Sequence, residues 1–187
     1  MLWQIAKIAV FSLCFCLILF LFSCGEKATA PEDKGVLQIF LTDKPLDNVQ
    51  NVYVTIGSVE VHQTGKGEGE AGTVYLPPPD SPVDLLALQG IEELLSSGSL
   101  EDGFYTHIKL EISEGTVVLD TAEEYELEIP SGKVLIPVNF TIEEGKLTKV
   151  LLDFDAEKSV KITKTGGANP KYILRPVIKP INVEGPK

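Results

Sequence analysis

Four carboxylates carry the first candidate chemistry. In LLDFDAEKS, residues 151–159, Asp153, Asp155 and Glu157 occupy alternate positions. A strand turns all three to one face, opposite Leu152 and Phe154. Carboxylates held that close repel unless a cation sits among them, and an oxygen-only cluster suits Ca²⁺, which makes calcium the one candidate cofactor. Asp43, at the end of the first apolar run, is placed to join them. The run lacks the spacing and the glycine of an EF-hand loop, and Lys158 and Lys161 are near enough to neutralise it. A solvated face or structural ion pairs therefore compete with the calcium reading, and a catalytic acid pair of glycosidase type is a third. The only histidines, His62 and His107, have no partner at a metal-binding spacing such as HExxH. They read as strand surface residues. With no GxSxG elbow, no glycine-rich phosphate loop and no cysteine beyond Cys24, the usual catalytic devices are missing, and the expectation is a protein that is not an enzyme. Tyr53 and Tyr105 fall opposite their strands' apolar rows and are the candidate ligand-binding residues, a platform on which a sugar ring could stack, although such tyrosines are also ordinary cross-strand partners. Trp3, the only tryptophan, lies in the N-terminal leader.

Cys24 carries a different chemistry. Residues 1–23 have the form of an export signal: Lys7, an apolar stretch over residues 8–22, then the small Ser23. That stretch is shorter than the roughly 20 residues a spanning helix uses, although an uncleaved anchor is the alternative. The order Leu21-Phe22-Ser23-Cys24 resembles the bacterial lipobox, with Phe22 bulkier than usual there. The resemblance implies lipid attachment to the Cys24 thiol, palmitate-type acylation, and a mature chain that starts at Cys24. Two acyl chains suffice for stable membrane attachment where one does not. Residues 24–35 are polar and lack apolar periodicity, as in a flexible tether. Gly25 and Glu26 differ from the aspartate associated with inner-membrane retention, which favours the outer membrane or cell surface within the cell envelope.

The elements that must position these groups follow from composition and alternation. The chain has 187 residues, 44% of them hydrophobic. That is enough for one domain with a substantial core and short for two. Lysine and arginine number 16 against 27 acids, a formal charge of −11, with no basic cluster, and this argues against nucleic acid as a partner. All three cysteines fall within residues 14–24, so the rest of the chain must be stabilised by packing alone.

From Val36 onward short runs alternate with period 2 and are broken by Gly, Pro, Asn and Asp, which is the pattern of strands and turns. Leu37, Ile39 and Leu41 share a face. The apolar phase of Val52, Val54 and Ile56 shifts at Gly57 to Val59 and Val61, which predicts a β-bulge at Gly57-Ser58. Phe104, Thr106, Ile108, Leu110 and Ile112 are expected inward, with Tyr105, His107, Lys109 and Glu111 outward. Residues 116–119 and 125–129 form a hairpin, and Val134, Ile136, Val138, Phe140 and Ile142 a long inward row. Residues 171–183, with Pro176 and Pro180, take an edge position because proline cannot donate to a ladder. The one helical prediction covers residues 81–98, SPVDLLALQGIEELLSSG, as one broken helix or a turn followed by a short helix, with Ser81 and Asp84 spaced as a capping box. About nine strands imply an all-β, two-layer antiparallel sandwich over residues 36–187 with one short helical insertion.

Six stretches, LQIFLTDKP (37–45), NVYVTIGSVEVH (51–62), VDLLALQG (83–90), GFYTHIKLEI (103–112), LLDFDAEKSV (151–160) and KYILRPVIK (171–179), together resemble an uncharacterised domain of bacterial and archaeal lipoproteins, numbered 4382 among the domains of unknown function. The resemblance implies a prealbumin-like or carbohydrate-binding-like sandwich on a lipid anchor, and no catalytic residue. The expected role is a non-enzymatic binding or structural module, anchored to a membrane by lipid, with a glycan or an envelope protein as partner. The alternatives are a carbohydrate- or calcium-dependent adhesion module and a glycosidase-type enzyme.

Overall fold

The computed structural model describes residues 34–43, 49–64, 72–163 and 170–186, all within one compact unit, Asp33–Lys187. In chain order the strands are β1 (Lys34–Asp43), β2 (Val49–Thr64), β3 (Gly72–Leu76), β4 (Val83–Asp84), β5 (Glu93–Glu101) and β6 (Gly103–Leu119). They continue with β7 (Glu124–Glu126), β8 (Lys133–Ile142), β9 (Leu147–Phe154), β10 (Val160–Thr163), β11 (Lys171–Leu174) and β12 (Ile178–Glu184). A 3-10 turn, Leu85–Leu88, and one α-turn, α1 (Ala156–Ser159), interrupt them.

Alternation builds both layers. In β1 the odd-numbered Leu37, Ile39 and Leu41 are buried while Gln38, Phe40 and Thr42 face the other way, half-buried. β1 lies inside a four-stranded sheet of order β12-β9-β1-β5. The larger sheet is built on two long strands, β2 and β6. β2 carries β3 and β4 on one side, and β6 carries β7 and β8 on the other. β10 and β11 form a separate ribbon. The inward rows meet in one core that joins Leu37 and Ile39 of the smaller sheet to Val59, Ile108, Ile136 and Phe140 of the larger. Fully burying each such side chain contributes about 1.5–3 kcal/mol. That is the source of stability expected for a domain without cysteine. The chain is thus an all-β sandwich with a short helical insertion.

Several expectations hold at the level of single residues. The β2–β6 register shifts on both sides of Ile56, at the predicted bulge. The hairpin forms through β6 and β7, and β8 buries Ile136, Val138, Phe140 and Ile142. The edge expected over residues 171–183 divides: β11 joins β10 in the ribbon, and β12, which contains Pro180, lies at the end of its sheet beside β9.

Three features differ. The sheets are antiparallel except where β1 runs parallel to β9, from Val36↔Leu147 to Asp43↔Phe154. The helix expected over residues 81–98 shrinks to Leu85–Leu88, capped by Asp84, whose carboxylate accepts from Leu86 N. The second half is strand β5 along β1, with Leu94 opposite Phe40 and Ser96 opposite Ile39. Leu95 is the extra residue of that bulge, so Leu95 and Ser96 are both buried and the strand shows no clean alternation. Gly98 follows, where a Cβ would come within 2.6 Å of Leu76 Cδ2. A backbone edge on β1 needs a partner, and that long-range demand overrides the leucine spacing. The third difference is at Tyr105, which is fully buried while Phe104 is 45% exposed, the reverse of the expected phase. Register shifts at His62/Gln63 and at Tyr105/His107 flip this end of β6.

Candidate functional site

The acidic residues do not assemble as expected. β9 stops at Phe154 because Asp155 caps α1: its Oδ1 accepts from Lys158 N at 3.0 Å and its Oδ2 pairs with Lys158 Nζ. The period of 2 ends there, so Glu157 sits on the helical turn and is exposed, while Asp153 and Asp155 are 3% and 1% exposed. Asp153 faces Lys179 of β12 across the sheet, 3.5 Å from its Nζ. Asp43, also buried, accepts from Ala156 N at 2.9 Å and so fastens the end of β1 to the start of α1. Ser159 completes the fastening. Its hydroxyl donates to Asp155 O at 2.6 Å and accepts from Val177 N at 2.9 Å. Among the described residues no group of three or more His, Cys, Asp or Glu is arranged to hold a metal. Of the four carboxylates expected to gather around calcium, Asp43, Asp153 and Asp155 sit in a buried joint and Glu157 alone faces solvent. Asp153 and Asp155, the residues of the expected acid pair, lie in that same buried joint.

Tyr105 is corrected likewise. Its ring stacks on Phe140 with centroids 5.2 Å apart, and its hydroxyl donates to Glu101 O at 3.0 Å. Burial first, then the charges of Glu101 and Asp102, push its phenol up to about 12. It is a core residue with no surface to offer a ligand. Tyr53 does face outward, 37% exposed, opposite Asp84 and Thr116. Cys24 lies outside the described residues.

The structure collects a different set of groups, on the outer face of the larger sheet. Registers across β3, β2, β6 and β8 place Tyr75, Glu60, Lys109 and Leu135 in one cross-strand row, and Thr73, His62, His107 and Pro137 in the next. Lys109 Nζ donates to both oxygens of Glu60, at 3.0 and 2.9 Å. That hydrogen bond, more than the carboxylate's charge, holds the Lys109 ammonium above its ordinary pKa. The His62 and His107 rings stack with centroids 4.5 Å apart and planes 18° from parallel. Thr73 Oγ1 lies 3.5 Å from His62 Nδ1, and Thr106 Oγ1 3.2 Å from His107 Nδ1. Burial, then the neighbouring His62, lower the His107 pKa below 6.5. A shallow depression of about 160 Å³ lies among Glu60, His62, Thr73, His107 and Lys109. Tyr75, 70% exposed, and Leu135, 59% exposed, flank it with apolar surface.

This arrangement can receive a ligand from solvent: apolar rims, an ion pair that accepts and donates hydrogen bonds, and two imidazoles. Tyr53 is on the same strand as Glu60 but seven residues away, roughly 23 Å at about 3.3 Å per residue, so it belongs to another part of the face. The outward positions of His107 and Lys109 were legible from alternation. Their pairing with His62 and Glu60 was not, because nothing local in either strand sets the β2–β6 register.

No curated protein matches the chain. Among solved structures, a leucine-rich repeat protein from Bacteroides thetaiotaomicron VPI-5482 is similar at 19% identity, over 67% of this chain and 12% of that one, with a TM-score of 0.26. Likeness at that level carries no functional weight. The family described as a domain of unknown function, DUF4382, matches residues 34–176, from the first residue of β1 to just short of β12, and the chain belongs to it.

Proposed function

We propose that the protein is a cell-envelope lipoprotein, lipid-anchored through Cys24, whose β-sandwich is a non-enzymatic binding module for a glycan or an envelope protein. The observation that carries the binding role is the outer face around Glu60, His62, His107 and Lys109, where an aromatic and an aliphatic rim enclose a polar centre open to solvent. The anchor rests on LFSC, residues 21–24, behind an apolar leader. Display at the outer membrane or cell surface agrees with Gly25 and Glu26 after Cys24, which differ from the aspartate associated with inner-membrane retention.

A glycan favours this face over the interior because sugar rings combine an apolar side for Tyr75 with hydroxyls for Glu60, His62 and Lys109. The test is an array of envelope glycans and envelope proteins probed with the full-length chain in detergent. Binding is expected to fall in Tyr75→Ala and in Lys109→Met, while Tyr53→Ala leaves it intact. Silence on every probe, or binding that survives both substitutions, removes this face from the reading. The anchor is checked separately. Cys24→Ala is expected to abolish incorporation of radiolabelled palmitate, and normal labelling of that variant overturns the lipoprotein assignment.

A further inference from the structure

We propose that His62 and His107 form a two-histidine site for a divalent transition-metal ion of the Cu²⁺, Zn²⁺ or Ni²⁺ class on the outer face of the larger sheet. The two residues are direct partners across β2 and β6, so their rings are held opposite one another by the backbone ladder itself. On each ring the Nδ1 lies against a threonine hydroxyl, Thr73 at 3.5 Å and Thr106 at 3.2 Å. That leaves Nε2 of both rings as the ligating atoms. An oxygen partner on the second nitrogen is the arrangement that holds a metal-binding imidazole in one tautomer and orientation. Zinc–nitrogen bonds of about 2.0–2.1 Å require the two nitrogens to come within roughly 3.3 Å of each other. The rings stack with centroids 4.5 Å apart and planes 18° from parallel, and the lone pair of each Nε2 lies in its ring plane, so both rings must turn out of the stack about their soft χ2 for the two nitrogens to meet on one ion.

Imidazole nitrogen selects this class of ion over Ca²⁺ or Mg²⁺, which prefer oxygen. Lys109 lies in the neighbouring cross-strand row, and its bidentate contact with Glu60 offsets its repulsion. Two protein ligands leave coordination positions open toward the depression. Water, or a donor atom of a bound molecule, fills them. The site shares the face assigned above to ligand binding but does not depend on that role, since a chain that binds no glycan can still bind the ion.

The full-length chain in detergent, with Cys14, Cys16 and Cys24 alkylated so that no thiol competes, is titrated with CuCl₂ and with ZnCl₂ by calorimetry. Copper binding is also followed by electron paramagnetic resonance. One ion per chain is expected, with nitrogen hyperfine coupling from two imidazoles. His62→Ala and His107→Ala should each weaken binding by about tenfold or more, as loss of even a supporting partner typically does. His107→Gln, which keeps a polar cross-strand partner, carries the same expectation, and a thermal melt of each variant near that of the parent separates loss of ligand from loss of fold. Binding that fails to saturate at millimolar metal overturns the site. So does binding that either histidine variant leaves unchanged, which would reduce the stacked pair to a cross-strand contact supporting the sheet.

Discussion

Replacing Asp43 by alanine tests whether the buried carboxylates are a joint or an ion site. Asp43 Oδ1 receives the amide of Ala156 at 2.9 Å across 113 residues of sequence, in a fully enclosed position. A hydrogen bond to a charged acceptor contributes about 1.5–3 kcal/mol, and its loss here leaves a buried N–H without an acceptor. For a domain of this size each kcal/mol moves the melting midpoint by about 2–4 °C, so Asp43→Ala should melt about 3–12 °C below the parent. Asp43→Asn keeps an acceptor oxygen and should recover part of the loss. Glu157→Ala removes an exposed carboxylate and should stay within about 0.5 kcal/mol of the parent. Scanning calorimetry with and without millimolar calcium separates the two readings, because an ion held only by the folded state must raise the midpoint. The joint predicts no calcium effect. A calcium-dependent rise lost in Asp43→Ala, or an Asp43→Ala midpoint equal to the parent's, would refute the reasoning.

Three further outcomes follow from the same structure. The Tyr105 phenol, at about 12 in the fold against 10.0 for the free group, contributes stability that is complete below pH 10 and lost as pH rises toward 12. Urea midpoints at pH 9 and pH 11 should show that slope reduced in Tyr105→Phe, and an unchanged slope would place the titration elsewhere. In metal-free buffer the His107 ring protons should titrate by NMR below pH 6.5, chiefly through burial and then through His62, and the midpoint should move upward in His62→Ala, which removes a covering ring and a neighbouring charge; a midpoint that does not move speaks against the stacked pair. Phe154→Ala, a fully buried ring where β9 meets α1, should cost about 3–5 kcal/mol by chemical denaturation, and a loss under 1 kcal/mol would mean that the ring is not packed as described.

How far the sequence predicted these arrangements depended on whether the deciding contact was local. The inward rows of β1, β2 and β8 follow from alternation within each strand, and the Gly57 bulge announces itself as a phase slip. β5 does not, because its identity is set by the free edge of β1, and because Leu95 and Ser96 both turn inward at the bulge. Tyr105 and Phe104 exchange faces through register shifts visible only once β2, β6 and β8 are paired. The acidic cluster misled for a related reason. A strand continued from Asp153 through Asp155 would reach Glu157 on the same face, whereas Asp155 is a helix cap, a role its side chain favours at the end of a strand. The His62–His107 pair was the least accessible. Both faces were known, but the register between strands 45 positions apart is a tertiary quantity.

The placement of β1 bears on mechanics. The chain enters the domain at Lys34 and runs straight into a strand hydrogen-bonded on both sides, antiparallel to β5 and parallel to β9. If the N-terminal side is fixed to a membrane, a load on that side reaches the domain through β1, and its component along the strand acts on both ladders. A pull in that direction shears two ladders at once, in contrast to an edge strand peeled open one bond at a time. The proposed anchor would thus pull on the domain through a strand paired on both sides, a useful property if the module is tethered and holds a partner as proposed.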